Sequence, residues 1–348
     1  MDHKKKLTAA FLLLSQLFFA QDSIKEKKVK ILPVPAFGYS PETRTYLGAV
    51  VMATIDLYPD TITRTSNAKV EFNYTWNNQL IIESGWNYFF KEEKWFTKGL
   101  IHFSKFPDLY YGIGSETPDS NKLSFSSNRI NVDVSLLKKF KNHLFVGLGL
   151  KHVNYYNLKS KDNNFSELTE NQLYGANFIL QHDNRTSLLT PTKGHYFSFS
   201  NALNFSKKNY SKHILDARIY KTWRKITFSN RFYNELNSNT PPFFDYAFLG
   251  GDKFVRGFYF GRFRDKHLST LQTEVRFPVF WRIGLSTFGG ISNLFPSFNQ
   301  FIISESKFNA GIGLRFLVDK KEGTNLRFDY AIGSGKNSGF YISFGESF

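Results

Sequence analysis

The chain has 348 residues, no cysteine and a formal net charge of +16, from 45 Lys and Arg against 29 Asp and Glu. The lack of cysteine excludes disulfides, thiolate nucleophiles, cysteine zinc sites and iron–sulfur clusters. Phe contributes 39 residues, yet the mean hydropathy is mildly negative, at −0.34. This combination is compatible with a soluble protein and equally with a membrane barrel, in which lipid-facing and lumen-facing residues alternate.

The N-terminus has the pattern of a secretory signal peptide. Three lysines at positions 4–6 precede an apolar run that ends on Ala20. A charged start, an apolar stretch of this length and a small residue before the cleavage site are the three parts of such a signal. We therefore predict that residues 1–20 are removed on export. The Lys-rich residues 21–33 would then form a short basic segment in the periplasm.

Apolar and polar residues alternate repeatedly through the rest of the chain. Residues 68–76, 130–136 and 308–316 are clear examples. Side chains of a strand point to opposite faces in turn, so this period indicates β-strands. A membrane-spanning strand needs about 9–11 residues, and sixteen strands leave no room for another domain in residues 34–348. The predicted strands begin near residues 34, 46, 66, 79, 94, 122, 142, 172, 193, 213, 225, 267, 282, 307, 324 and 339.

Short and long connections follow one another along the chain. Outer-membrane barrels have short periplasmic turns and longer extracellular loops. We predict a 16-stranded antiparallel transmembrane β-barrel over residues 34–348, integral to a Gram-negative type of outer membrane. The alternative, a soluble β-sandwich, does not predict this alternation. The short connections are 91–93, 138–142, 223–225 and 279–281, and the long ones are 106–120, 156–171, 237–266 and 293–306.

Charged residues share one face of the predicted strands. A charge in lipid costs several kcal/mol, so this face must line the lumen. The excess of positive charge lies in turns and loops, where it would meet anionic outer-membrane lipids and lipopolysaccharide, or simply solvent. Nucleic acid is not a predicted partner, because the compartment is wrong. The lumen-facing charges are Lys69, Arg129, Lys151, Arg218, Arg276, Arg315 and Arg327, with Glu71, Glu83, Asp133, Asp216, Glu274 and Asp329.

The C-terminus ends on an aromatic residue. Phe340, Ile342 and Phe344 alternate with small or polar residues, Glu346 interrupts the pattern, and Phe348 is the last residue. Phe344 and Phe348 on an amphipathic last strand resemble the signal that barrel-assembly machinery recognises. Such a signal marks a client of that machinery and does not define a function.

The longest connection contains a tetrapeptide that narrows the class, Val255-Arg256-Gly257-Phe258. The next strand reads QTEVRFP, and DNR and PTKG motifs lie upstream. Together these resemble the BamA/TamA outer-membrane assembly superfamily, also called the bacterial surface antigen family. In that family the tetrapeptide lies in the sixth extracellular loop, which folds into the lumen, where its arginine meets acidic groups.

The resemblance implies a role for each residue of this loop. Arg256 would contact Glu274 on the inner wall, and Gly257 would permit a tight turn. The family's second acidic residue lies in an F-x-D-x-G pattern, and Gly290 occupies that position in this chain. The resemblance therefore implies a single anchor and a looser loop.

Two further expectations concern the start of the barrel. Relatives carry periplasmic POTRA domains, and residues 21–33 are too few for one. The resemblance thus implies a barrel-only member that acts on client outer-membrane proteins with a separate periplasmic or lipoprotein partner. Pro33 and Pro35 lie at or just before the first strand, which closes the barrel against the last. Proline removes backbone donors, so this seam would resemble the family's lateral gate, or the prolines would only shape the strand's entry.

Three functional classes follow. The first is an assembly or translocation factor, the second a passive or substrate-specific pore, and the third a structural subunit of a larger complex. The loop motif favours the first and third. An enzyme is not predicted, because the eight histidines show no HExxH context and no GxSxG motif is present. No residue spacing points to a metal or other cofactor.

Overall fold

The computed structural model describes residues 29–58, 60, 62–160, 168–188, 190–319 and 324–348. The predicted signal peptide and residues 21–28 lie outside the described residues. Within the described part of the chain, no helix has the length and apolarity needed to cross a membrane.

Sixteen strands of the described residues form a closed antiparallel barrel, as the sequence predicted. Each strand pairs with its neighbours along the chain, and β1 meets β18 to close the barrel. The short strands β12 and β13 pair only with each other, within the connection between β11 and β14. The strands are β1 (Val29–Ser40), β2 (Arg44–Ile55), β3 (Ser66–Thr75), β4 (Leu80–Phe89), β5 (Trp95–Tyr110), β6 (Leu123–Lys141), β7 (Leu144–Ser160), β8 (Asn171–Asp183), β9 (Gly194–Phe205), β10 (Tyr210–Trp223), β11 (Ile226–Asn237), β12 (Ala247–Leu249), β13 (Phe263–Asp265), β14 (His267–Phe280), β15 (Ile283–Phe295), β16 (Lys307–Asp319), β17 (Thr324–Gly333) and β18 (Asn337–Phe344).

The first strand begins earlier than predicted, at Val29 instead of near residue 34. Pro33 and Pro35 therefore lie within β1, opposite Val51 and Ala49 of β2. Strands tolerate proline where one edge lacks a neighbour. Both prolines lie beyond the single position at which β1 and β18 are in register.

Strands β5, β6 and β7 are longer than a membrane crossing requires, with 16, 19 and 17 residues. Parts of the predicted loops 106–120 and 156–171 are consequently strand. The extension follows from antiparallel pairing, because β5 and β6 continue to satisfy each other's backbone groups beyond the membrane.

The two faces of the wall differ as the alternation predicts. Leu148, Leu150 and Ile312 point outward and are 66–70% exposed. Arg327 and Asp329 point inward and are fully buried. The outward face therefore suits lipid, and the inward face holds a dense polar network.

The C-terminus departs from the predicted last strand. β18 ends at Phe344, and Gly345 has a φ of 76°, which turns the chain away from the strand direction. Residues 345–348 are buried, and Glu346 accepts hydrogen bonds from Arg315 and Asn325. The placement of Phe348 on the last strand is thus wrong, whereas Phe344 lies on β18. The chain turns inward at Gly345, where the Glu346 carboxylate is paired with Arg315.

Candidate functional site

The tetrapeptide at residues 255–258 lies in the connection between β11 and β14. Its turn depends on Gly257, whose φ is 103°, in the left-handed region that favours glycine. A Cβ on this residue would lie 2.8 Å from the carbonyl oxygen of Ile332 on β17. Glycine is therefore required both by the backbone conformation and by the close approach to the wall.

Arg256 contacts four successive strands of the wall, β14 to β17, and only 1% of its surface is exposed. Its Nη2 donates to Glu274 on β14, and its Nη1 donates to Asp329 on β17. The guanidinium lies 3.4 Å from the ring centroid of Phe288 on β15. The backbone carbonyl oxygen of Arg256 accepts a hydrogen bond of 2.9 Å from Asn309 Nδ2 on β16.

The neighbouring Gly257 adds the fifth strand. Its backbone N–H donates to the hydroxyl of Tyr341 on β18, at 2.9 Å. Two consecutive loop residues thus contact every strand from β14 to β18. These are the five strands that end at the closing seam.

The second acidic partner of Arg256 is Asp329, so the expectation of a single anchor is wrong. Gly290 does sit where the family pattern has an acid, but the carboxylate comes from a strand further round the wall. The sequence placed Asp329 on the inward face without pairing it with Arg256. Only the inward parity signalled it, because 73 residues separate the two.

The carboxylates around Arg256 are shared with other arginines. Arg315 lies 2.5 Å from Asp329, 3.2 Å from Glu274 and 2.9 Å from Glu346. Arg327 adds a second contact to Asp329, at 2.6 Å. Buried charges of opposite sign therefore balance, which satisfies the requirement that charges taken out of water be paired.

Apolar packing reinforces this contact. Val255 and Phe258 are fully buried and pack in one cluster with Leu249, Leu268 and Leu294. Burial of two such side chains contributes about 3–6 kcal/mol. The loop is thus held by a hydrophobic cluster beside the ion pairs.

The same connection also contacts the other side of the wall. Asp245 lies 2.7 Å from Lys151 on β7 and 3.0 Å from Lys212 on β10. Burial opposes ionisation of the Asp245 carboxyl, but the two lysines outweigh it and hold its pKa well below its usual range. Further along, the Arg264 guanidinium lies 4.7 Å from the ring of Tyr110 on β5. The connection therefore has attachments to both halves of the barrel.

Ion pairs also join several of the longer loops at one end of the barrel. Arg262 lies 2.9 Å from Asp119, and Lys307 pairs with Glu116. Both pairs join segments more than 140 residues apart. They bring the β5–β6 connection against the β11–β14 and β15–β16 regions.

The seam between β1 and β18 is short. Within the described residues these two strands share one register pair, Tyr39 with Ile342. The rings of Phe37 and Phe344 meet edge to face, with centroids 6.3 Å apart. The other neighbouring strands of the barrel are in register over eight residues or more.

The geometry offers no centre for metal chemistry among the described side chains. No group of three or more His, Asp or Glu residues there is arranged to hold a metal ion. The acidic residues at the site are engaged by arginines instead.

Residues 47–348 match the Omp85 superfamily domain. BamA from Haemophilus ducreyi lacking POTRA domains 1–3 is similar in structure, with a TM-score of 0.61, 12% identity, and coverage of 92% of this chain and 70% of that one. CdiB from Acinetobacter baumannii has a TM-score of 0.63 and 13% identity, and the match covers 91% of this chain and 60% of that one. CdiB from Escherichia coli has a TM-score of 0.60 and 11% identity, with coverage of 92% of this chain and 63% of that one. The chain thus spans less than two thirds of either CdiB chain. A comparison with curated proteins returned no match.

Proposed function

Because the chain belongs to the Omp85 superfamily, we propose that it inserts, assembles or translocates outer-membrane or surface proteins. It is an integral outer-membrane β-barrel, similar in fold to the barrels of BamA and CdiB. The proposal rests on one observation above all. Arg256 and Gly257 contact β14 to β18, the five consecutive strands that lead up to the seam. On the other side of the seam, β1 meets β18 at a single register position.

The seam supplies the physical basis for handling client strands. Continuing the register from Tyr39 and Ile342 places Phe37 opposite Phe344, where β18 ends. The rest of β1, from Val29 to Ala36, extends past that end. An uncovered strand edge can pair with an incoming strand, and proline limits unwanted pairing of such an edge. We assign this role to the edge that carries Pro33 and Pro35.

A separate periplasmic or lipoprotein partner completes the proposal. The barrel supplies a strand edge and a rigid wall, and delivery of unfolded clients requires a soluble surface. We infer that such a partner binds the periplasmic rim. Its identity is a matter for co-purification with the intact protein.

A pore is a weaker candidate. The connection between β11 and β14 contacts β7 and β10 through Asp245 and β14 to β18 through Arg256. A segment attached on both sides obstructs the lumen between them. A purely structural subunit does not need a seam that opens, so the cross-seam disulfide described below distinguishes it from an assembly factor.

The test is quantitative outer-membrane proteomics after depletion of the protein. A broad fall in other barrels supports a general assembly factor, and a fall confined to one complex supports a dedicated assembly factor or subunit. No fall, together with altered solute uptake, would contradict the proposal and favour a pore.

A cross-seam disulfide makes the test specific. Depleted cells would be complemented with Tyr39→Cys/Ile342→Cys, whose two cysteines face each other across the seam. The matched control is Phe328→Cys/Ile342→Cys, which joins β17 to β18 within the wall. We expect the oxidised cross-seam variant not to complement the depleted cells until its disulfide is reduced. The control variant should complement in both states. Full complementation by the oxidised cross-seam pair would contradict a working seam.

A further inference from the structure

The outward face of the barrel carries a polar strip across four neighbouring strands. Elsewhere, as on β16 to β18, outward positions are occupied by residues such as Ile312, Tyr330 and Phe340. On β9, β10, β11 and β14, several outward positions carry hydrogen-bonding side chains between the apolar ones. We define the polar strip as Asn201, His213, Asn230, Asn234, Ser269 and Thr273.

Parity shows that these side chains point away from the lumen. Asn230 lies between Phe228 and Phe232, which are 37% and 41% exposed. The inward neighbours of Asn230 are Ser229 and Arg231, and both are buried. The same alternation holds on β14, where exposed Leu271 and Thr273 enclose buried Gln272.

Asn230 and Asn234, with their partners Thr273 and Ser269, lie at the depth of the hydrocarbon. Asn230 is four residues from the start of β11 at Ile226, which is about 13 Å along the strand. With a strand tilt of about 40° this remains inside an apolar band about 25 Å tall. The flanking Phe228 and Phe232 agree with that depth.

Hydrogen bonds within the strip join neighbouring strands, but they do not satisfy every donor and acceptor of its side chains. Asn201 Nδ2 lies 2.8 Å from His213 Nδ1, and Thr273 donates to Asn230 Oδ1 at 2.8 Å. Asn234 Nδ2 donates to Ser269. In the described part of the chain, Asn230 Nδ2 and Asn234 Oδ1 have no hydrogen-bond partner. Lipid offers none at this depth, so these groups favour contact with another protein surface.

We propose that the polar strip is an interface through which a second copy of this chain docks within the membrane. Two barrels inserted in the same orientation are related by a two-fold axis along the membrane normal, so equal depths meet. An amide group carries both a donor and an acceptor, so Asn230 and Asn234 complement the same residues of the second copy. The strip carries no carboxylate, lysine or arginine that would repel its own copy.

The position of the strip is compatible with an open seam. β14 is the fifth strand from the seam on the β18 side, and β9 is the ninth on the β1 side. A copy docked on these strands leaves both edges of the seam facing lipid. The interface therefore does not depend on the proposed assembly function and can be tested apart from it.

The test uses cysteine crosslinking of the full-length protein in the outer membrane, because the natural chain has no cysteine. Phe232→Cys retains every residue of the strip and lies between two of its asparagines. The matched control is Tyr330→Cys on β17, which also faces outward and also lies six residues from the start of its strand. With a short bis-maleimide crosslinker, we expect at least ten times more product of two-chain mass from Phe232→Cys.

Asn230→Leu/Asn234→Leu in the Phe232→Cys background tests the chemistry. We expect the two-chain product to fall at least tenfold while heat-modifiable gel mobility still reports a folded barrel. Equal crosslinking at positions 232 and 330 would overturn the proposal, as would a product of any other mass. Unchanged crosslinking in the leucine variant would also overturn the proposal. So would a folded Phe232→Cys protein that forms no two-chain product.

Discussion

Arg256 is a buried cation whose charge is shared between carboxylates of two separate strands. Glu274 and Asp329 belong to β14 and β17, and each retains Arg315 within 3.2 Å when Arg256 is removed. Loss of Arg256 therefore leaves neither carboxylate alone. Arg256 therefore holds the loop in place, and the wall strands keep their own ion pairs without it.

We predict that Arg256→Ala releases the loop without unfolding the barrel. The expected cost is about 3 kcal/mol, the low end of the range for breaking a buried pair, because both carboxylates keep a partner. Limited proteolysis within residues 238–266 and urea unfolding measure the two effects. Lys225→Ala, an exposed cation on the β10–β11 turn, is the control and should change neither. Unaltered cleavage in Arg256→Ala would contradict the fastening role.

Gly257→Ala tests the close approach to the wall. The new methyl group would lie 2.8 Å from the Ile332 carbonyl oxygen, and overpacking of this kind costs roughly 1–3 kcal/mol. Gly335→Ala is the matched control, since its φ of 74° is also positive but its Cβ would meet only Asn337, at 3.4 Å. We expect a lower urea midpoint for Gly257→Ala than for Gly335→Ala. Equal midpoints would show that backbone strain alone is measured.

At the scale of elements, the β11–β14 connection is attached at two places with different chemistry. The Arg256 end combines ion pairs with the apolar cluster of Val255 and Phe258. The Asp245 end depends on two lysines and the hydroxyl of Tyr210. The first attachment holds the loop against the strands next to the seam, and the second holds it against the far wall.

The Asp245 attachment predicts a definite pH dependence. Its carboxyl has a depressed pKa in the folded protein, so the stability it contributes is present above the unfolded pKa of about 4 and is lost as pH falls through the folded value. We expect the stability difference between the wild type and Asp245→Asn to stay constant from pH 8 to about 5 and to shrink below pH 4. Urea unfolding across this range measures it. A difference that grows on acidification would refute the assignment.

For the whole molecule, the β11–β14 connection and the ion pairs between loops bear on whether the barrel could conduct. Sixteen strands enclose a lumen wide enough for a channel when it is empty. Here the loop attaches to both halves of the wall, and Arg262–Asp119 and Lys307–Glu116 join the loops above.

Planar-bilayer recording tests this obstruction. We expect the intact protein to conduct far less than an open sixteen-stranded porin, because charged and apolar side chains occupy the lumen. Replacement of residues 250–258 by a Gly-Ser linker should raise the conductance several-fold. A large, stable conductance of the wild type, unchanged by that replacement, would restore the pore as the leading function.

The strand pattern was predictable because it is local. Alternation of side chains has a fixed period, and lipid enforces it on every strand, so fifteen of the sixteen predicted starts fall within three residues of the observed ones and β1 within five. The same alternation placed Glu274 and Asp329 on the inward face. The pairing of Asp329 with Arg256 was not predictable in this way, because no local rule selects among inward carboxylates.

Residue type at a fixed spacing was enough to predict the architecture, the outer membrane and the loop that carries Arg256. Which distant groups meet became visible only in the folded barrel. It brought Asp329 to Arg256, turned residues 345–348 inward onto Arg315, limited the β1–β18 seam to one register pair, and aligned polar residues of four strands into one outward strip. Closure of the barrel fixes these contacts, because strand register and curvature place side chains that are remote in sequence at hydrogen-bonding distance.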